Sequence, residues 1–555
     1  MNIQKTSQKE SNFYSGKWPF LSIILTLFLL WISSAFFVSL YYKNGLPYYD
    51  SVGSYWNMFS IMNTTRDGGI IEGIKQASEY SLSWLQSSFA VLVEFFLPKA
   101  PHALILLNFI CLGWAQISMY QFTRAMRFVK EKALTIAFLP LLPGALWSWY
   151  GGYIDMRRDP SFISLLTAAF FMFATYLVKP TVKGGIAVGI LIGLTQWSRG
   201  NAAPYIVIIL VSVLLGYLYS VPKREKVLIL KSLLIPAISS LVLLLPYYAV
   251  NVHAILTKYL YGSWALGENR ITSLGYVLTS IPQLVLGTSL IAVKFNAVFL
   301  VGSIVVFWYL WHKKLLTYSK RNVIPLFPLY AGIFTVFLTI VFNSFILGFN
   351  RFAGVIPNFP ILVGLYAISC SFMVRVSIRI PKIHTLKVMS VFIGIIAIIN
   401  AMRIAVSMPP TNPVLSAKVK TIAQEVLPIL SGEAVAYFWL DHIHVHDLNF
   451  YITQQGGKPI RAGSVLAQGV DIEMPPDLNR SIEEQQNAFV RAAKDRRYIV
   501  VSDDLKSYED KTSVFFIFQH GKPVIEGLLN DPSMKPIYKF MYTNRSFIVL
   551  ENTGF

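Results

Sequence analysis

Apolar runs of about 20 residues recur through the first three quarters of this chain, and no other feature limits the fold as strongly. Inside a bilayer every backbone N–H and C=O must be paired within its own segment, so a run of that length folds as a spanning helix. Spans are expected at 18–42, 103–123, 133–150, 161–178, 184–197, 203–220, 227–249, 295–311, 324–348, 354–374 and 387–405. The predicted fold class is a polytopic α-helical membrane protein of about eleven spans, residues 1–405, followed by a soluble α/β domain, residues 406–555. The formal net charge of +20 would suggest nucleic acid in a soluble chain, but here Lys and Arg gather in the short segments between spans, so no nucleic-acid partner is expected. Cys111 and Cys370, the only cysteines, both lie within apolar runs, so no disulfide framework is available. The first run, 18–42, is long enough to span and lacks a small-residue cleavage site, which reads as an uncleaved anchor.

Charge sets the orientation. If the spans alternate, one side holds Lys5, Lys9 and Lys17 and then the basic groups at 124–132, 179–183, 223–226, 313–321 and 375–387, 20 basic residues in all. The other side holds 11 over roughly twice the length of chain. Cationic loops stay in the cytoplasm, so the amino terminus is expected inside and the segment after residue 405 outside. The localisation expected is an integral protein of a bacterial inner membrane. The span at 184–197 is short enough that it and 203–220 could form a re-entrant pair, which leaves the parity unchanged.

The outer side collects the unusual polar residues. Its first loop, 43–102, is too long for a connector and has amphipathic stretches, so one or two helices along the membrane surface are expected. That loop opens with Tyr48-Tyr49-Asp50 and continues to Tyr55. The second outer loop carries Asp155, Arg157, Arg158 and Asp159 within five residues, the third carries Arg199, the fourth spans roughly 250–294, and the last carries Arg351. Desolvating a carboxylate at a membrane surface is costly, so Asp50 marks a candidate reaction site as well as an ordinary interfacial loop. The Asp155–Asp159 cluster reads either as a site or as an internally paired turn. Arginine at the outer end of a span reads either as a phosphate ligand or as a snorkelling side chain.

Beyond 405, helical spacing covers 415–430 and 483–495, and strand patterns cover 434–440, 498–502 and 540–551, the alternation of a small α/β domain. On a strand, His442, His444 and His446 would share one face and could hold a metal, or they could simply line an exposed edge.

Carboxylates and arginines at the outer ends of spans suit transfer of a sugar from a lipid phosphate: fixed cations hold the phosphate and a carboxylate takes the acceptor's proton. The pattern resembles the GT-C class of polyprenyl-phosphate-dependent glycosyltransferases, which includes protein O-mannosyltransferases and aminoarabinose transferases. The resemblance is carried by Tyr48-Tyr49-Asp50 after span one, Arg158-Asp159-Pro160-Ser161 before an apolar span, Gly193 to Arg199, and Arg351-Phe352 followed by Pro357 and Pro360. It departs from the class where Ser51 follows Asp50 and where Glu79 to Trp84 replaces a Lys-Pro-Pro element.

The resemblance implies an inverting transferase with Asp50 as general base and Asp159 as a second acid, with Asp155 a lesser candidate for that role. It implies Arg158, Arg199 and Arg351 as phosphate contacts, with Arg157, Tyr49 and Tyr55 also at the substrate. The implied partners are a polyprenyl-phosphate sugar donor and a lipid, glycan or protein acceptor. No cofactor is implied; a divalent cation is compatible with the site, although no paired-carboxylate motif calls for one. The competing readings are a lipid or solute transporter and a surface-polysaccharide polymerase or ligase. Transporters place polar groups near the midplane and show repeated halves, whereas here the charges gather at one face. Polymerases and ligases rely more on large basic loops and lack the acid after span one.

Overall fold

The computed structural model describes residues 18–42, 50–79, 83–126, 128, 130–141, 153–155, 158–200, 202–220, 232–256, 413–438, 445–461, 480–509, 516–542 and 545–555. The expected spans from 295 to 405 and Tyr49, Arg157, Arg351, His442 and His444 lie outside the described residues.

The first expected span is helical over its whole length, α1 over Trp18–Tyr42. Leu21, Ile24, Leu25, Phe28 and Leu29 are exposed along it, while Ile23, Leu27 and Val38 are buried, so one face meets lipid and the other the bundle. The long segment expected at 43–102 supplies two helices, α2 (Asp50–Glu79) and α3 (Trp84–Phe96). Within α2 the chain doubles back at Gly69, whose φ of 83° is a left-handed conformation that glycine adopts without a Cβ penalty. The two arms then pack on each other: Gln76 Nε2 donates to Ser60 Oγ at 2.8 Å. Gly73 lies so close to Thr65 that a Cβ would stand 2.1 Å from its Oγ1.

A short 3-10 turn at Pro101–Ile105 leads into α4 (Leu106–Ala125). Next come α5 (Lys130–Ala137), α6 (Arg158–Val178), α7 (Val182–Ser198), α8 (Ala202–Ser220) and α9 (Leu234–Leu256). Among the described residues, four helical segments are long and apolar enough to cross a membrane: Pro19–Phe36, Ala103–Ala125, Arg158–Val178 and Leu234–Val252. Two expectations need correction. The stretch 133–150 does not form one helix, because α5 stops at Ala137 and a 3-10 turn follows at Leu139–Leu141, where Pro140 removes an amide donor. The expected loop beginning at 250 is helical as far as Leu256, so His253 sits on α9.

α6 lies at the centre of the bundle, buried along almost its whole length against α4, α7 and α8. Its threonine hydroxyls turn back onto their own helix, Thr167 Oγ1 to the Ile163 carbonyl at 2.8 Å and Thr175 Oγ1 to the Phe171 carbonyl at 2.7 Å, while the Tyr176 hydroxyl donates to the Ser232 carbonyl. A glycine seam joins α7 to α9. Cβ atoms at Gly185, Gly189 and Gly193 would come within 2.7, 2.4 and 2.5 Å of Ile235, Ser239 and Leu243. Both sets repeat every four residues, and the helix backbones meet through the gaps the glycines leave.

The carboxy-terminal elements are α10 (Pro413–Leu430), β1 (Val435–Tyr437), α11 (Val445–Gln454), α12 (Ile482–Lys494), β2 (Tyr498–Ser502), α13 (Phe516–His520), α14 (Lys522–Leu529), β3 (Met534–Tyr542) and β4 (Arg545–Asn552). The sheet order is β1-β2-β4-β3, with β1 and β2 parallel and the remaining pairs antiparallel. The strand pattern at 540–551 covers the end of β3 and nearly all of β4, paired as an antiparallel hairpin, and residues 543 and 544 between them lie outside the described ones. β2 is buried on both faces. Ile499 and Val501 pack on the α12–α14 side, where α12 begins with a capping box between Ser481 and Glu484. Tyr498 and Val500 join Tyr437, Phe547 and Val549 in a core that includes α10 and α11 and runs on into the membrane bundle.

Candidate functional site

The Arg158-Asp159-Pro160-Ser161 motif becomes the first turn of α6, and Arg199 caps the end of α7. These antiparallel neighbours bring Asp159 and Arg199 together, with Arg199 Nη1 donating to Asp159 Oδ1 at 2.5 Å. Only 9% of the Asp159 side chain and 15% of the Arg199 side chain are exposed. A carboxylate at a helix amino terminus is favoured by the helix dipole, and the guanidinium also lies 5.6 Å from the centre of the Phe162 ring. Arg158 opens the same helix and is half-buried. Asp155 is fully buried in the turn before it, and its backbone carbonyl accepts from Asn108 Nδ2 of α4 at 2.7 Å.

Sequence reasoning missed the α3 side of this cluster. Gln86 donates from Nε2 to Ser161 Oγ at 2.7 Å, and that hydroxyl bonds on to the Arg158 carbonyl. Trp84 packs edge-on against Trp197 at 5.7 Å and against Tyr247 of α9 at 5.3 Å. Trp84 closes the segment that departs from the Lys-Pro-Pro pattern, which was the one available signal. In this fold that segment supplies the start of α3.

Asp50 is the first residue of α2. Tyr55 stands one turn further on, buried, with its ring 5.8 Å from Phe59 and 6.4 Å from Phe450 of α11. It packs α2 onto the carboxy-terminal region. His446 lies in the first turn of helix α11, not on a strand, so the expected strand face of three histidines is not formed there. Its Nδ1 accepts from Trp56 Nε1 at 3.0 Å. Among the described residues no cluster of three or more His, Cys, Asp or Glu side chains has the spacing to hold a metal ion.

Other ionisable groups are perturbed for structural reasons. Hydrogen bonding from Lys494, with further bonds from Ser533, holds the Asp531 carboxyl well below the usual carboxylate range. Burial pushes the Tyr538 hydroxyl up to about 12, helped by its hydrogen bond to Glu425.

Comparison with solved structures shows that this chain shares its overall fold with known membrane proteins. The crystal structure of ArnT from Cupriavidus metallidurans bound to undecaprenyl phosphate matches with a TM-score of 0.54 over 97% of this chain and 98% of that one, at 14% identity. The same protein in the apo state matches with a TM-score of 0.53 at 14% identity, covering 96% of this chain and 97% of that one. The apo oligosaccharyltransferase of Archaeoglobus fulgidus gives 0.48 at 13% identity, covering 96% of this chain and 75% of that one. At such identities the likeness is one of fold. No family model matches the sequence, and no curated protein matches it.

Proposed function

We propose that this protein is an integral membrane glycosyltransferase that moves a sugar from a polyprenyl-phosphate donor to an acceptor hydroxyl at the outer membrane surface. The observation that carries the reading is the paired Asp159–Arg199 cluster, with Arg158, at the helix ends where the GT-C resemblance locates its second acidic motif and a basic residue. The ArnT match supports it, because it extends over nearly all of both chains and that protein is seen bound to undecaprenyl phosphate.

In this mechanism the Asp50 carboxylate accepts the proton of the acceptor hydroxyl. The freed oxygen attacks the anomeric carbon as the bond from that carbon to the phosphate oxygen breaks, so the configuration inverts and the polyprenyl phosphate departs with its electron pair. Arg158, Arg199 and Arg351 stabilise the phosphate, since guanidinium forms paired hydrogen bonds to its oxygens. Asp159, bonded to Arg199 Nη1, serves to aim that guanidinium. Arg157 and Tyr49 belong to the same surface, and Asp155 supports it from the preceding turn. Tyr55 contributes by packing.

Residues 1–405 form the membrane unit in this reading and 406–555 an extracytoplasmic domain, with the amino terminus in the cytoplasm. A reporter fused after residue 405 is active only if it is an extracytoplasmic enzyme. The function is tested by mass spectrometry of lipid-linked sugars in a deletion strain. A polyprenyl-phosphate sugar accumulates if the reading is right, and an unchanged lipid profile together with altered solute uptake favours the transporter.

A further inference from the structure

Three sets of contacts fasten the first arm of α2 to α11. Trp56 donates to His446 Nδ1 at 3.0 Å, and the two rings stack with centroids 5.7 Å apart. One turn on, Phe59 packs against Phe450 at 5.6 Å. A further turn on, Asn63 Nδ2 donates to the Thr453 carbonyl at 2.8 Å. Positions 56, 59 and 63 on one helix meet 446, 450 and 453 on the other, so the two helices run side by side in the same direction along one seam. Asp50 stands beyond the end of the seam, less than two turns before Trp56. Between them, a Cβ at Gly53 would lie 3.9 Å from Cδ2 of His446. The imidazole therefore borders the first turns of the helix that Asp50 opens.

We propose that His446 is a positioning residue for Asp50. It accepts the Trp56 indole N–H, stacks on that ring and walls the Gly53 side of α2, and together these fix the helix end from which the base meets the acceptor. The inference rests on the Asp50 reading given above. Terminal helical turns fray unless something outside the helix holds them, and a general base works only within hydrogen-bond reach of its proton. A displacement of about 1 Å at a reacting group costs on the order of 100-fold in rate. The carboxy-terminal region is then part of the transfer site, because α11 carries the residue that holds the base-bearing helix.

Two substitutions separate the acceptor from the ring. His446→Asn sets an amide oxygen near the position of Nδ1, while His446→Phe keeps a ring to stack on Trp56 and removes the acceptor. The measurement is transfer by the full-length protein in lipid, using the lipid-linked sugar recovered from the deletion strain. The expected result for His446→Phe is a kcat lower by on the order of 10- to 100-fold with a donor KM within about twofold of wild type. His446→Asn recovers most of the rate. Trp56→Phe lowers kcat to a similar extent, and combining it with His446→Phe adds no further loss, because both remove one interaction. A wild-type kcat for His446→Phe, or losses that simply add, overturns the proposal. If His446→Phe does not accumulate, Trp56→Phe carries the same test, and an unchanged kcat there overturns it equally. Asp50→Asn separates the two readings. An active Asp50→Asn enzyme removes the base assignment and the role of His446 with it, whereas an inactive one beside a fully active His446→Phe removes the role of His446 alone.

Discussion

Replacing Arg199 with Leu is expected to destabilise the membrane bundle by about 3 kcal/mol, because it strips the buried Asp159 carboxylate of its partner. At 2.5 Å, with an effective dielectric of about 20, the Coulomb attraction to Asp159 is roughly 7 kcal/mol. Most of that offsets the cost of taking both ions out of water, so the pair itself adds little net stability. Removing one partner leaves the other's desolvation uncompensated, which costs roughly 3–5 kcal/mol for a buried pair. The lower end applies here, because the first-turn amides of α6 still favour the carboxylate left behind. Asp159→Asn should cost less, since an amide oxygen still accepts from Arg199 and a long guanidinium side chain can turn toward the interface. The double variant Asp159→Asn/Arg199→Leu should then be more stable than Arg199→Leu alone. Thermal denaturation in lipid nanodiscs, read as a ranking of midpoints, checks the order. A wild-type midpoint for Arg199→Leu would refute the argument. Equal losses in the single and double variants would assign the effect to packing on Phe162 instead of charge.

Two further outcomes follow from the described contacts. Gly189→Ala, whose Cβ would stand 2.4 Å from Ser239 and 2.7 Å from the Ser240 backbone nitrogen, should push α7 from α9 and lower stability by about 1–3 kcal/mol, while Ala187→Gly on the same helix should not act by that clash; equal midpoints for Gly189→Ala and wild type would contradict the seam. In the carboxy-terminal region the depressed Asp531 carboxyl favours the folded state when ionised. Its contribution is present above the ordinary carboxylate pKa of about 3.9 and is lost as pH falls below it. Lys494→Met should weaken that acid dependence, as seen in hydrogen exchange at the 531–533 turn between about pH 5 and 3; an unchanged dependence would remove Lys494 as its cause.

Much of this architecture was legible because the bilayer imposes a single solution on a long apolar run. α1, α6 and α8 begin and end within three residues of the expected spans. Where local chemistry overrode length, the reading failed. Pro140 stops the helix expected to run to 150, and a hydropathy window averages that proline away. The carboxy-terminal α/β alternation came through in α10, α12 and β2, whose periods are strong. The histidine run misled, because alternate spacing looks like a strand, whereas Val445–Gln454 buries Leu448, Phe450, Tyr451 and Ile452 as a helix. At the site, the acidic and basic motifs were visible as charges beside spans. Their pairing was not, because Asp159 and Arg199 meet only when α6 and α7 pack antiparallel. Gln86 carries no sequence signal of its own, Trp84 only its place in the segment that departs from the Lys-Pro-Pro pattern, and Trp56 none. They matter through residues 75, 113 and 390 positions away.

The central claim is that an outer-surface carboxylate at the head of α2 takes the acceptor's proton. The direct measurement is sugar transfer from the polyprenyl-phosphate donor by wild-type and Asp50→Asn protein purified into lipid. Asparagine keeps the shape and loses the proton acceptor, so the account predicts a fall in kcat on the order of 100-fold or more, with protein yield and donor binding nearly unchanged. An Asp50→Asn enzyme that retains most of its rate would contradict it.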